Sequence, residues 1–489
     1  MSVAAAPAPS RKIAFSTIFL VEMWERFGYY GMTAVVLLYM VQKLGYTDER
    51  ASLTFGAFTA LVYAAPSVGG WLGDRVLGSR RMTVIGALVL ALGYVLLAIP
   101  GGPLFPALGV VAVGNGLFKA NPANLVSKIY EGEPSKIDGA FTLYYMSVNV
   151  GATMSQLATP LIAIWAGWNV AFGVCAAGML LAVVNYWVMR RHLAHVGSPP
   201  DFAPLQVRKL LLVLLGSAAA AAFVTVVVQD LRLARMVVWV ATAALVVIFG
   251  LLVAKGSPAE RRGLVAVGIL TAQTIVFFVF YQQMSTSLTL FALRNVDLRF
   301  LFGYEIPPAQ LQALNPLWIF VLSPIVAWSY GRMAAGRGDL SIAAKFALGF
   351  AVLAVGFLAF GISGRFAVDG KVSVWWMIGG YGLYSLGEIL ISGLGLAMVA
   401  RYVGPKLRGF VMGIWFLATG ISQYLGSYVA TFASVPADAS DPVMTLPLYV
   451  NLFLGLGLVA TVGTAVALAL LPLMRRLSEG AAGAAQAAK

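Results

Sequence analysis

Five ionisable residues carry the chemistry of this sequence: Glu22, Glu25, Arg26, Lys119 and Glu388, each inside a long apolar run. A charge at the middle of an apolar helix costs roughly 2.5–3.5 kcal/mol on insertion scales, so such residues face a partner or a water-filled cavity. Lys119 lies about 11 residues, or ~16 Å at helical rise, from the nearer end of its run, beyond the reach of an extended lysine. In the first run Glu22, Glu25, Arg26, Tyr29 and Tyr30 follow helical spacing and share one face. A face of carboxylates, a guanidinium and phenols can bind a polar ligand and hand on a proton, and the planar fork of Arg26 suits a carboxylate. Glu388, within Ser385–Ser392, has no cation nearby in sequence. With three carboxylates against two cations, it is the natural proton carrier or partner for an ammonium group. The plainer reading of the set is a buried ion pair that joins helices.

Holding these groups at depth requires spanning helices, each needing about 20 apolar residues. Runs of that length predict helices near 13–42, 52–77, 82–100, 104–130, 139–166, 168–190, 207–229, 233–255, 262–293, 308–333, 341–362, 373–401, 408–434 and 447–474. Most of the 33 Lys and Arg fall in alternate loops, among them Arg80, Arg81, Arg190, Arg191, Arg261, Arg262, Arg475 and Arg476. Basic loops stay cytoplasmic, so an even number of spans is expected, with both termini inside. A loop rich in Gly and Pro after Arg191 and a second break at Lys255–Pro258 divide the chain. The expected plan is a six-helix bundle over 13–195, a linker with two further helices over 196–260, a second bundle over 261–476 and a cytoplasmic tail over 477–489.

Composition excludes the competing classes. Hydrophobic residues make up 60% of the chain and charged ones 11%, too apolar for a soluble core. The net charge of +14 follows from the basic loops, so no nucleic-acid partner is expected. The single cysteine, Cys175, sits in an apolar run, and His192 and His195 sit in a basic loop, which leaves no metal site. Glu22, Glu25 and Arg26 in the first run mark a retained helix rather than a cleaved signal.

Glu22-Met-Trp-Glu25-Arg26-Phe27-Gly-Tyr29-Tyr30 resembles the ExxERFxYY motif of the proton-dependent oligopeptide transporters, a branch of the major facilitator superfamily. Gly70–Gly78 is similar to the superfamily's loop between helices two and three, Phe141–Gly151 to the family's second signature, and Gly116–Asn121 to the segment bearing its lysine. The resemblance runs from about residue 13 to 475. It implies an all-α polytopic membrane protein of the major facilitator fold, with 14 transmembrane helices and the inserted hairpin of bacterial members. Proton coupling would involve Glu22, Glu25, Arg26, Lys119 and Glu388. Substrate would meet Arg26, Tyr29, Tyr30, Tyr63, Lys119, Asn149, Phe278, Gln282, Asn315, Glu388 and Ser392. Two positions depart from the family: Thr33 and Gln282 stand where many members pair an arginine with an acid as an outer gate, so the expectation is that a hydrogen bond replaces that ion pair or that gating relies on other contacts. Phe278 stands for a usual tryptophan and Gly393 for a frequent proline.

The resulting expectation is a symporter importing di- and tripeptides with protons, by alternating access, in a bacterial inner membrane. It is expected to be monomeric, embedded in lipid, free of cofactors and driven by the proton gradient. An importer of nitrate or another small anion and an exporter of drugs or peptide analogues are the transport rivals. Retained Glu22, Glu25 and Glu388 argue against the first. A membrane-embedded hydrolase is the rival from another class, and it lacks an intramembrane histidine. The chain is not expected to be an enzyme.

Overall fold

The computed structural model describes residues 10–336, 340–435 and 441–487. Residues 488–489 of the expected tail lie outside them. Helices occupy all of the expected stretches, and nine among the described residues are both long and apolar enough to cross a membrane. The β structure described is a two-residue parallel pair, β1 (Val296–Asp297) with β2 (Val372–Ser373), and two isolated antiparallel bridges, Arg299 with Glu305 and Val368 with Lys371.

The chain forms two compact units. The first joins the described residues of Met1–Val35 to Leu61–Gln229. It holds α1 (Arg11–Leu38) up to Val35, α3 (Pro66–Arg75), α4 (Ser79–Ala98), α5 (Leu104–Ile129), α6 (Pro134–Ala166), α7 (Trp168–Met189) and α8 (Val207–Gln229). The second joins Val36–Ala60 to the described residues of Asp230–Lys489. It holds most of α2 (Asp48–Ala64), then α9 (Leu231–Lys255), α10 (Pro258–Gln282), α11 (Ser287–Asn295), α12 (Leu314–Gly336), α13 (Ile342–Ser363), α14 (Val374–Ile391), α15 (Leu394–Tyr402), α16 (Pro405–Ala430) and α17 (Pro442–Ala487). Of the two inserted helices, α8 packs on α5 and α9 packs on α16 and α10.

Three expected helices are broken, each for a local reason. The run 52–77 divides at Ala65 because Pro66 lacks an amide hydrogen and its ring crowds the preceding turn. The run 262–293 divides at Thr286, whose backbone leaves helical geometry while its hydroxyl donates to Gln282 O at 2.8 Å. The run 373–401 divides at Ser392–Gly393, four residues past Glu388.

In the first unit, glycine sets the helix spacing that positions the charges. A Cβ at Gly69 would collide with Gly116 O, so α3 and α5 meet backbone to backbone just before Lys119. A Cβ at Gly151 would likewise collide with Met23 O, which places α6 directly against the charged turn of α1. Any side chain at either position would push the helices apart.

Candidate functional site

Within the first unit, Glu22, Glu25 and Arg26 are buried on α1, and α5 brings Lys119 to them. Arg26 is clamped to Glu25: its Nε pairs with Oε2, and Nη2 donates to Oε1 at 2.6 Å. Asn115 Nδ2 approaches the same Oε1 at 3.5 Å. Glu22 Oε1 receives Lys119 Nζ at 3.1 Å and lies 3.5 Å from Arg26 Nε. Its other oxygen, Oε2, is buried, and the buried hydroxyl of Tyr144 on α6 interacts with the Glu22 carboxylate. Two carboxylates and two cations make the cluster neutral when all four are ionised. Side-chain exposure separates the cations: 5% for Arg26 and 33% for Lys119. Lys119 is therefore the more exposed of the two cations.

The guanidinium of Arg26 also lies 5.0 Å from the centroid of Tyr29 and 5.8 Å from that of Tyr30, within cation–π range. Asn149 is buried on α6 and donates to Tyr145 O at 3.0 Å. Tyr63 is half-buried at the end of α2. Thr33 is buried, and its hydroxyl donates to Tyr29 O at 3.0 Å on its own helix.

In the second unit, Glu388 is buried without an ion-pair partner among the described residues. Asn315 of α12 donates to its Oε2 at 2.7 Å, and Ser385 in turn lies 3.1 Å from Asn315 Nδ2. One turn further, the Ser392 amide donates to Glu388 O at 2.8 Å, at the break between α14 and α15. Phe278 packs edge-on against Tyr281 at 5.7 Å, and Tyr281 stacks on Tyr384 at 6.2 Å. The Tyr384 hydroxyl fixes that stack by donating to Tyr281 O at 2.9 Å. Sequence reasoning missed Tyr281, Tyr384 and Ser385; the helical offsets of Tyr384 and Ser385 from Glu388 were the available signal.

Gln282 is buried, and its amide nitrogen reaches Thr59 Oγ1 at 3.2 Å and Ser427 Oγ at 3.0 Å. Gly426 allows this, since a Cβ there would press on Gln282. Twelve residues past the end of α10, Arg294 makes a second tie that was not anticipated. Arg294 holds Asp48 through both nitrogens, Nη1 to Oδ2 at 2.5 Å and Nη2 to Oδ1 at 2.7 Å. The Tyr449 hydroxyl at 2.8 Å and the Val435 amide at 3.2 Å complete the group. Arg294 and Asp48 lie at the ends of their runs and read as loop charges from sequence alone.

The family model described as PTR2, POT family, matches residues 80–445. Among curated relatives, dipeptide and tripeptide permease A of Salmonella typhimurium is 44% identical over 471 residues, covering 95% of this chain and 93% of that protein. Dipeptide and tripeptide permease B of Aliivibrio fischeri is 44% identical over 461 residues, with 93% of each chain covered. Among solved structures, a bacterial homologue of the human drug peptide transporters PepT1 and PepT2 superposes with a TM-score of 0.88 at 52% identity. The match covers 96% of this chain and all of that one.

Proposed function

The chain belongs to the POT family of the major facilitator superfamily, and from that premise we infer that it is a proton-coupled symporter importing di- and tripeptides. The observation that carries this reading is the division of charge: a neutral four-residue cluster with an accessible Lys119 in one unit, and an uncompensated Glu388 in the other. A peptide is a zwitterion with an ammonium and a carboxylate at opposite ends. Lys119 and Arg26 are assigned to its carboxylate, and Glu388 with Asn315 to its ammonium. An anion importer would have no use for Glu388, which disfavours that rival.

Charge counting gives a coupling rule. With both carboxylates of the cluster ionised, Lys119 is held by Glu22. A proton on Glu22 removes that hold and leaves one unit of positive charge, which a peptide carboxylate can neutralise. Lys119 and Arg26 both face Oε1 of Glu22, which leaves the buried Oε2 as the oxygen assigned to take the proton. Tyr29, Tyr30, Tyr63 and Asn149 are assigned to the wall of the cavity in the first unit, and Phe278, Gln282 and Ser392 in the second. Gln282 with Thr59 and Ser427, and Asp48 with Arg294, are assigned to an outer gate in which the family's charge pair at Thr33 and Gln282 has become neutral. Fourteen spans arranged as six, two and six, with both termini on the cytoplasmic side of a bacterial inner membrane, complete the reading.

The deciding experiment is uptake of labelled Ala-Ala into proteoliposomes under an imposed inward proton gradient. Gradient-stimulated uptake, competed by other dipeptides and not by nitrate, is the expected result. Absence of stimulation across a dipeptide panel sinks the proposal. Glu388→Gln tests the ammonium assignment. The wild type is expected to prefer Ala-Ala over N-acetyl-Ala-Ala by at least about tenfold, a difference of ~1.4 kcal/mol for one charge-assisted contact. The variant should lose most of that preference, and an unchanged preference in competition assays counts against the assignment.

A further inference from the structure

The first unit contains a cavity of about 660 Å³ that the transport reading does not use. Its walls are α3 and the end of α2 on one side, α5 at the floor and α8 on the other, from Leu61 to Val76 and from Lys209 to Val224. Along α8 the fifteen residue steps from Lys209 to Val224 span about 22 Å. One leaflet of a bilayer supplies about 15 Å of hydrocarbon, so the groove is long enough for an acyl chain lying along the membrane normal. The lining is apolar over nearly its whole length, and the rim residues Trp71 and Leu212 are each 60% exposed. Small residues hold the space open. Nothing lies within 4 Å of where a Cβ on Gly216 would sit.

One end of the groove is different. Lys209 lines it, and the exposed Arg208 and Arg75 adjoin Lys209 and Val76 in the chain. The nearby carboxylate, Asp74, is already engaged by Asn124 at 2.5 Å and by Ser198 at 3.0 Å. A long apolar slot capped by basic side chains at the headgroup level complements a molecule with an anionic head and an acyl tail. We propose that the groove between α3, α5 and α8 is a binding site for one anionic glycerophospholipid of the leaflet facing the basic loops, with its phosphate at Lys209 and an acyl chain lying against Trp71.

Trp71 supplies the readout. Brominated-chain phosphatidylglycerol or brominated-chain phosphatidylcholine is titrated into the detergent-solubilised protein. Tryptophan quenching is followed in the wild type and in Trp71→Phe, and the difference isolates Trp71 from the other tryptophans. The Trp71 component is expected to quench saturably, at a phosphatidylglycerol concentration at least fivefold below that needed for phosphatidylcholine. Lys209→Glu should abolish this preference. Gly216→Phe, which fills the groove from a position with open space, should abolish the quenching itself while elution volume and melting temperature stay unchanged. Equal quenching by the two lipids, or a preference that survives Lys209→Glu, overturns the proposal. So does the absence of a Trp71 component in a protein that self-associates, which assigns the groove to a second copy of the chain.

Discussion

Glu22→Gln is expected to abolish proton-driven accumulation of peptide while leaving exchange of labelled for unlabelled peptide intact. The amide keeps the size of the carboxylic acid and can still accept from Lys119, so the contact at 3.1 Å survives in weakened form. It cannot gain or lose a proton. The cluster is then fixed at one net positive charge, the state assigned to peptide binding, and the binding step no longer responds to pH. Uptake under a gradient should fall to the level seen without one. Counterflow, which needs only loading and unloading of substrate, should persist within about threefold of the wild type, or less than ~1 kcal/mol. Persistence of uphill uptake removes Glu22 from coupling and moves the role to Glu25. Loss of counterflow as well means that the side chain serves structure, since removing one member of a buried pair costs about 3–5 kcal/mol.

The sequence revealed this cluster because helical geometry is local. Residues three, four, seven and eight apart must share a face, so Glu22, Glu25, Arg26, Tyr29 and Tyr30 came together before any tertiary contact was known. The depth argument required only that Lys119 face a partner or a water-filled cavity; that α5 delivers it to Glu22 depends on helix packing the sequence does not display. The helix breaks were less legible. Pro66 announces its own, but the turns at Thr286 and Ser392–Gly393 arise in runs that remain apolar throughout, where hydropathy carries no signal. The grouping of α2 was hidden for a different reason. Its residues up to Ala60 pack with the second unit although they follow α1 in the chain, and that depends on partners more than 200 positions away, such as Gln282 and Ser427. Periodicity describes which face is buried, not what covers it.

The same limit hid the tie between Asp48 and Arg294, and its removal is the second large effect expected. Asp48→Asn leaves Arg294 with the Tyr449 hydroxyl but without the carboxylate that both of its nitrogens meet. Asp48 and Tyr449 are fully or nearly buried, so water offers little compensation, and losing one member of such a pair costs about 3–5 kcal/mol in the state that contains it. On the proposed gate assignment the pair breaks when the side away from the basic loops opens, and the variant is then expected to favour the open state. Thr59 reports on this, because it is buried and hydrogen-bonded to Gln282 in the structure. In a Thr59→Cys background, where the native Cys175 is buried, labelling by a membrane-impermeant maleimide should accelerate at least about tenfold on adding Asp48→Asn. Exchanging the partners, as Asp48→Arg with Arg294→Asp, should slow labelling again by restoring opposite charges at the contact. An unchanged labelling rate with a lowered melting temperature assigns the pair to holding α2 and α11 together rather than to gating. The distinction bears on Gln282 as well. If the ion pair carries the closing energy, neutral residues at Thr33 and Gln282 cost the gate little, because the charge contact has moved from α10 to α11.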